Sequence, residues 1–361
     1  MYYYTDDGSR FDSKILAIKY AKAKKQSVKF YYYDHIYKNL DWTQEPAQSL
    51  PGLYKEQALR IRDNYDYIIL CYSGGYDSTN ILETFYYNNI KLDKIISVGA
   101  FSKDSSFGVD ENHNGEIYHN VYPYIKELGL ESIFETYDYT KLFDKLDNLS
   151  ITEYGSEWFH KTGSWFSPHN WFWRDIHKFV IPKSIVGKRV AIIFGKDKPN
   201  LFYSQECADR YNMERGQLNC FYFRDTPVNA YGNVYNTLEY DLINFYWDPA
   251  FPQILLKQVN ILANYYQNSI SKISSYNRVS DSQIIGNSTV SNLVYSLKKP
   301  ILFKSPKSPS NILSLRDQYV KNSKDSDLYK FYFSGINNLA KVIDIDNELP
   351  PIKSIYYRVT R

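Results

Sequence analysis

The hydrophobic pattern is weak over the first fifty residues and sharp beyond them. Ser13 to Lys25 predicts a short amphipathic helix with Ile15, Leu16, Ile18 and Ala21 on one side, and Val28 to Tyr33 predicts a strand. Trp42 to Gly52 carries two prolines and reads as a connecting loop, followed by a helix from Leu53 to Arg62. Tyr67-Ile68-Ile69-Leu70-Cys71-Tyr72 is then a continuous apolar run, the signature of a strand buried on both faces. It ends in Ser73-Gly74-Gly75, and Ser78 to Tyr87 continues with helical character. A second run, Lys94 to Ala100, follows a break at Asn88 to Asp93. Tyr118 to Leu128 predicts a helix closed by Gly129, Ser132 to Tyr137 a third strand, and Arg189 to Phe194 a fourth.

Strands that alternate with helices indicate an α/β fold with a doubly wound parallel sheet, because right-handed crossovers place the helices over the sheet. Ligands of such sheets bind at the carboxyl ends of the strands. Three segments fall on that edge: the Ser73 loop, Val98-Gly99-Ala100, and the loop after Phe194. Beyond it, Asn236 to Gln267 reads as mostly helical, interrupted by Asp248-Pro249 and Pro252. From Asn268 onward the chain turns rich in Ser, Asn and Lys. The division expected is an N-terminal α/β segment (1–52), a ligand-binding domain (53–200), a helical acceptor-binding region (201–270) and a loosely organised C-terminal appendage (271–361).

Composition narrows the classes. A chain of 361 residues suits two lobes sharing an interface, and 43% hydrophobic with 23% charged residues suits a globular protein with a sizeable core. The formal charge of +3 argues against a strong nucleic-acid field without excluding a tRNA substrate. Tyrosine is abundant at 37 residues, but stacking on bases needs clustered Lys and Arg, and no such stripe stands out. Three scattered cysteines (Cys71, Cys207, Cys220) fit neither a disulfide framework nor a zinc site. No apolar run reaches about eighteen residues and Met1 to Asp7 lacks a leader pattern, so a cytoplasmic setting is expected, in a cell or in an infected host.

The string Ser73-Gly74-Gly75-Tyr76-Asp77-Ser78-Thr79 lies between a buried strand and a helix. Glycines let backbone N–H groups approach an anion, and the helix start adds unpaired donors and the positive dipole end. Ser73, Ser78 and Thr79 add hydroxyls, while an acidic Asp77 in an anion loop points to Mg²⁺ or to a hydrogen bond closing the loop. The spacing is neither that of the Lys-containing phosphate loop of kinases nor that of dinucleotide folds. Ser-Gly-Gly-Tyr-Asp-Ser instead resembles, in every fixed position, the SGGxDS signature of the PP-loop ATP pyrophosphatases, the adenine nucleotide alpha hydrolase-like superfamily. Asparagine synthetases, GMP and NAD synthetases, deazaguanine synthases and several tRNA-modifying enzymes share it. The resemblance covers about residues 53 to 200. It implies a HUP-like sheet and a pyrophosphate cradle at Ser73, Gly74, Gly75, Tyr76, Asp77, Ser78 and Thr79. It also implies adenine contacts with the backbone of Val98, Gly99 and Ala100, and ATP with Mg²⁺, for which Asp77 and, by position rather than motif, Asp197 are the candidate ligands.

A second loop, Gly195-Lys196-Asp197-Lys198-Pro199, follows the fourth strand, and its charges suit a leaving pyrophosphate and its metal. Four of the six tryptophans, Trp158, Trp165, Trp171 and Trp173, fall within sixteen residues. This segment reads either as an aromatic cluster between lobes or as a substrate lid ahead of a helix carrying Arg174, a candidate for a carboxylate or the α-phosphate. The glutaminase nucleophile, the zinc cysteines of the deazaguanine synthases, and the cysteine pairs of tRNA thiolases find no counterpart. The expected function is an AMP-forming ligase close to the synthetase half of asparagine synthetase, supplied with ammonia by a separate source or using an amine acceptor. Two alternatives stand beside it: a tRNA- or nucleobase-modifying enzyme on the same ATP site, and a non-enzymatic nucleotide-binding protein.

Overall fold

The structure is a computed structural model. It describes residues 1–99, 101, 114–138, 155–156, 180–185, 187–195, 199, 201–204, 220–225, 240–267, 278–280, 290–298, 301, 324–341 and 352–359. In chain order the first elements are β1 (Tyr2–Thr5), β2 (Arg10–Phe11), α1 (Lys14–Lys24), β3 (Val28–Tyr31), α2 (Asp34–Tyr37) and α3 (Leu50–Asn64). Then come β4 (Tyr67–Cys71), α4 (Tyr76–Tyr87), β5 (Lys94–Gly99), a π-helical turn (Ile117–Val121), α5 (Tyr122–Glu127), β6 (Phe134–Asp138) and β7 (Val190–Phe194). The remainder comprises β8 (Leu201–Ser204), β9 (Cys220–Phe221), β10 (Tyr240–Asn244), α6 (Gln253–Gln267), β11 (Arg278–Ser280), α7 (Asp327–Ala340) and β12 (Tyr357–Arg358).

The apolar runs become the inner strands of a five-stranded, all-parallel sheet in the order β10-β7-β4-β5-β6, flanked by helices. Ile68, Ile69 and Leu70 of β4 and Ala191, Ile192 and Ile193 of β7 have no exposed surface, as strands covered on both faces require. The chain starts at the centre with β4 and moves outward through β5 and β6. It then returns to the other side of β4 with β7, an order compatible with a Rossmann-like, doubly wound fold. Helices α4 and α5 meet where the Tyr124 hydroxyl donates to Glu83 Oε1 at 2.7 Å, as successive right-handed crossovers would bring them together. A three-stranded antiparallel sheet, β2-β1-β3, and a four-stranded antiparallel sheet, β11-β8-β9-β12, complete the described topology.

Several expectations need correction. In α1 the Ser13 side chain caps the first turn by accepting from the Leu16 N–H, but the buried face is Lys14, Ile15, Ala17 and Ala21, and Leu16 is 41% exposed. Lys14 is buried with its ammonium 2.8 Å from Asp225, and α1 is only weakly amphipathic. Helix α3 begins at Leu50, inside the expected loop, with Ser49 as its cap and a proline in the first turn. The region 201–270 is not uniformly helical: β8, β9 and β10 all lie within it, and Tyr240–Asn244 is the fifth strand of the central sheet. Nor are the described parts of 271–361 an appendage. Val290, Val294, Tyr295, Ile352, Tyr357 and Val359 belong to the same hydrophobic cluster as Tyr3, Phe30, Leu70 and Ile193.

Candidate nucleotide site

The Ser73 loop leaves β4 at its carboxyl end, beside β7, where the strand order reverses and a crevice opens in sheets of this kind. Three features build it. Gly74 takes φ +76°, and Asn120 Nδ2 donates to its carbonyl at 3.2 Å, fixing the turn from the π-helical segment. Gly75 is the N-cap of α4 but brings no side chain to cap it. The N-terminus of α4, with the positive end of its dipole, therefore faces the carboxyl edge of the sheet. Finally, Ser73 and Ser78 close the loop on itself. The Ser73 N–H donates to Ser78 Oγ at 3.1 Å, the two hydroxyl oxygens lie 3.1 Å apart, and the Gly75 N–H points to Ser73 Oγ at 3.4 Å. Ser78 and Thr79 are buried, and Thr79 Oγ1 reaches the Tyr72 hydroxyl at 3.5 Å.

Asp77 sits in the first turn of α4 with only 8% of its surface exposed. Its Oδ1 accepts from the Tyr295 hydroxyl at 2.7 Å, and its backbone carbonyl accepts from the Tyr246 hydroxyl at 2.6 Å. These bonds to Asp77 come from two remote tyrosines, whereas the loop is closed by Ser73 and Ser78. Among the described residues no group of three or more His, Cys, Asp or Glu side chains is placed to hold a metal. A magnesium ion on bound phosphates needs only one or two protein carboxylates. Asp77 is the carboxylate this loop offers for it, largely buried and with Oδ1 accepting from Tyr295.

Gly195, at the exit of β7, packs directly on the first turn of α4, so the second expected loop starts beside the first. Pro199 is buried, whereas Lys196, Asp197 and Lys198 lie outside the described residues, as do Ala100, Arg174 and the four clustered tryptophans. Val98 and Gly99 stand where the β5 backbone parts from β4. The β4–β5 ladder ends at Cys71↔Ile96, while β5 continues to Gly99, paired on its other side with Asp138. Ile117 and Phe101 close over Gly99, so glycine there has a packing reason of its own.

The described cradle thus unites Ser73 to Thr79 with Gly195, and places Val98 and Gly99 on the neighbouring strand. The sequence reading missed Tyr246, Tyr295 and Asn120. Nothing short-range marks them: their contacts with the loop span 169, 218 and 46 residues. No protein-family model and no curated protein matches the chain.

Proposed function

We propose that the protein is an ATP pyrophosphatase of HUP-like fold that adenylates an acceptor and releases pyrophosphate, as an AMP-forming ligase. The observation that carries this reading is the position of the intact Ser73-Gly74-Gly75-Tyr76-Asp77-Ser78 string, at the strand-order reversal between β4 and β7 with Gly195 packed against it. Phosphate oxygens would meet the Gly75 and first-turn amides together with the Ser73 and Ser78 hydroxyls. Adenine would lie against the β5 backbone at Val98 and Gly99.

An acceptor oxygen attacks the α-phosphorus, the bond from that phosphorus to the bridging oxygen breaks, and pyrophosphate leaves with the electron pair. The loop's donors stabilise the charge that develops on the leaving group, and no protein nucleophile is required. Asp77, with Asp197 from the second loop, would hold Mg²⁺, which supplies charge neutralisation when bound. Lys196, Lys198 and Arg174 are proposed as the cations around the departing and α-phosphates. The acceptor is a small molecule or a tRNA.

Two measurements test the reading. Calorimetric titration with ATP, AMP and pyrophosphate should give saturable binding, and acceptor-dependent exchange of labelled pyrophosphate into ATP should follow with carboxylate, purine or tRNA acceptors. Absence of ATP binding, or hydrolysis that yields ADP and phosphate, sinks the proposal.

A further inference from the structure

We infer that Tyr295 is a positioning residue for Asp77, so that a segment 218 residues downstream orients the carboxylate of the nucleotide loop. The inference rests on the reading of Ser73 to Ser78 as a nucleotide site and deepens it.

Asp77 is gripped twice by buried tyrosines from two separate segments: Tyr295 on the carboxylate and Tyr246, just beyond β10, on the backbone carbonyl. Asn80, one turn along α4, donates to the Tyr246 hydroxyl at 3.1 Å and so orients that grip. Tyr295 is itself immobilised. Its ring lies 5.2 Å from that of Tyr246 and 6.4 Å from that of Tyr54. The Tyr54 hydroxyl, which accepts from Gln258 Nε2 at 3.0 Å, donates to the Val294 carbonyl at 2.6 Å. Three residues past Tyr295, the Lys298 N–H donates to Glu83 Oε2 at 2.8 Å, tying the same segment to α4. The segment 290–298 is therefore pinned to α3 and α4 on either side of the hydroxyl that meets Asp77.

Burial raises the pKa of both the Tyr295 and Tyr246 hydroxyls, which keeps them protonated donors through the neutral range. A carboxylate that handles a metal or phosphate depends for its direction on the hydrogen bonds behind it, and loss of such support typically costs ten- to a hundredfold in affinity or activity. The competing explanation is that Tyr295 only satisfies a buried acceptor. The two differ in whether its effect passes through Asp77.

The test is a double-mutant cycle of Tyr295→Phe and Asp77→Asn, read by ATP calorimetry with Mg²⁺ and with EDTA. Tyr295→Phe keeps the ring packing and removes the hydroxyl. The expected result is a loss of roughly tenfold or more in Mg·ATP affinity for Tyr295→Phe. The same change should fall within about twofold in the Asp77→Asn background, and within about twofold for ATP in EDTA. Unchanged affinity in Tyr295→Phe, or equal losses in both backgrounds, overturns the positioning role while leaving ATP binding by the wild-type chain intact. A wild-type chain that binds no ATP overturns the nucleotide reading itself and the inference with it. Should Tyr295→Phe fail to fold, Tyr295→3-fluorotyrosine strengthens the donor without changing its shape. It should then shift Mg·ATP affinity only when Asp77 is present, and a shift that persists in Asp77→Asn overturns the role.

Discussion

Gly195 lies against the peptide joining Asp77 to Ser78: a Cβ at position 195 would stand 2.8 Å from the Asp77 carbonyl carbon and 2.9 Å from the Ser78 nitrogen. Both neighbours are backbone in the first turn of a helix, so neither yields easily. Gly195→Ala is therefore expected to destabilise the fold by about 1–3 kcal/mol through overpacking and to displace the loop. Urea denaturation measures the first effect and ATP titration the second. Wild-type stability in this variant would remove the close packing of β7 on α4.

The two glycines of the loop should separate cleanly. Gly74 has φ +76°, and a Cβ there would lie 2.8 Å from Val121 Cγ2 and 3.2 Å from the Glu116 carbonyl oxygen. Gly75 has φ −87°, and its Cβ would meet only Ser73 Oγ at 3.5 Å, an ordinary contact. Gly74→Ala should lose about 2 kcal/mol or more of stability. Gly75→Ala should keep its melting temperature yet bind ATP more weakly, because in the proposed site the new methyl group would stand where phosphate approaches the amide. Equal stability losses in the two variants would contradict this assignment.

The legibility of this fold followed burial. Ile68-Ile69-Leu70 and Ala191-Ile192-Ile193 are covered on both faces, so their runs were continuous and β4 and β7 could be read directly. Tyr240–Asn244 is the end strand of the sheet, where only Tyr240 and Ile243 are buried; it is short, its two buried residues stand at a helix-like spacing, and it merged with the helical pattern of α6 just after it. The loop was legible because its chemistry is consecutive in sequence. Tyr246 and Tyr295 were not, since among 37 tyrosines only tertiary placement distinguishes the two that reach Asp77.

The integration of the chain's ends has its own test. Lys14 Nζ meets Asp225 Oδ2 at 2.8 Å, with both side chains fully buried. Asp225 also accepts from the Tyr3 hydroxyl at 3.2 Å and from the Ile352 N–H at 2.7 Å, joining β1, α1, the residues after β9 and the C-terminal segment. Lys14→Met leaves the carboxylate buried without its cation and should cost about 3–5 kcal/mol. Chemical denaturation of the variant is the check, and a loss below about 1 kcal/mol would place the pair in a solvated setting instead.

Asp93 supplies a pH dependence whose sign follows from its partners. Burial pushes its carboxyl upward, but contacts from Lys91 at 2.7 Å, Arg62 at 2.6 Å and the Ile68 N–H at 2.9 Å outweigh this and hold its pKa below the usual carboxylate value. A folded-state pKa below the unfolded one, about 3.9, means that the unfolded chain binds the proton first as pH falls. The stabilisation is complete above the unfolded pKa and disappears as pH drops through the folded one. Asp93→Asn should cost about 1–2 kcal/mol at neutral pH, through weakened charge-assisted bonds to Arg62 and Lys91. The gap between wild type and variant should stay constant down to about pH 5 and close below the unfolded pKa of about 3.9. Urea midpoints taken from pH 7 to pH 3 follow that gap, and a gap that widens on acidification would reverse the assigned sign.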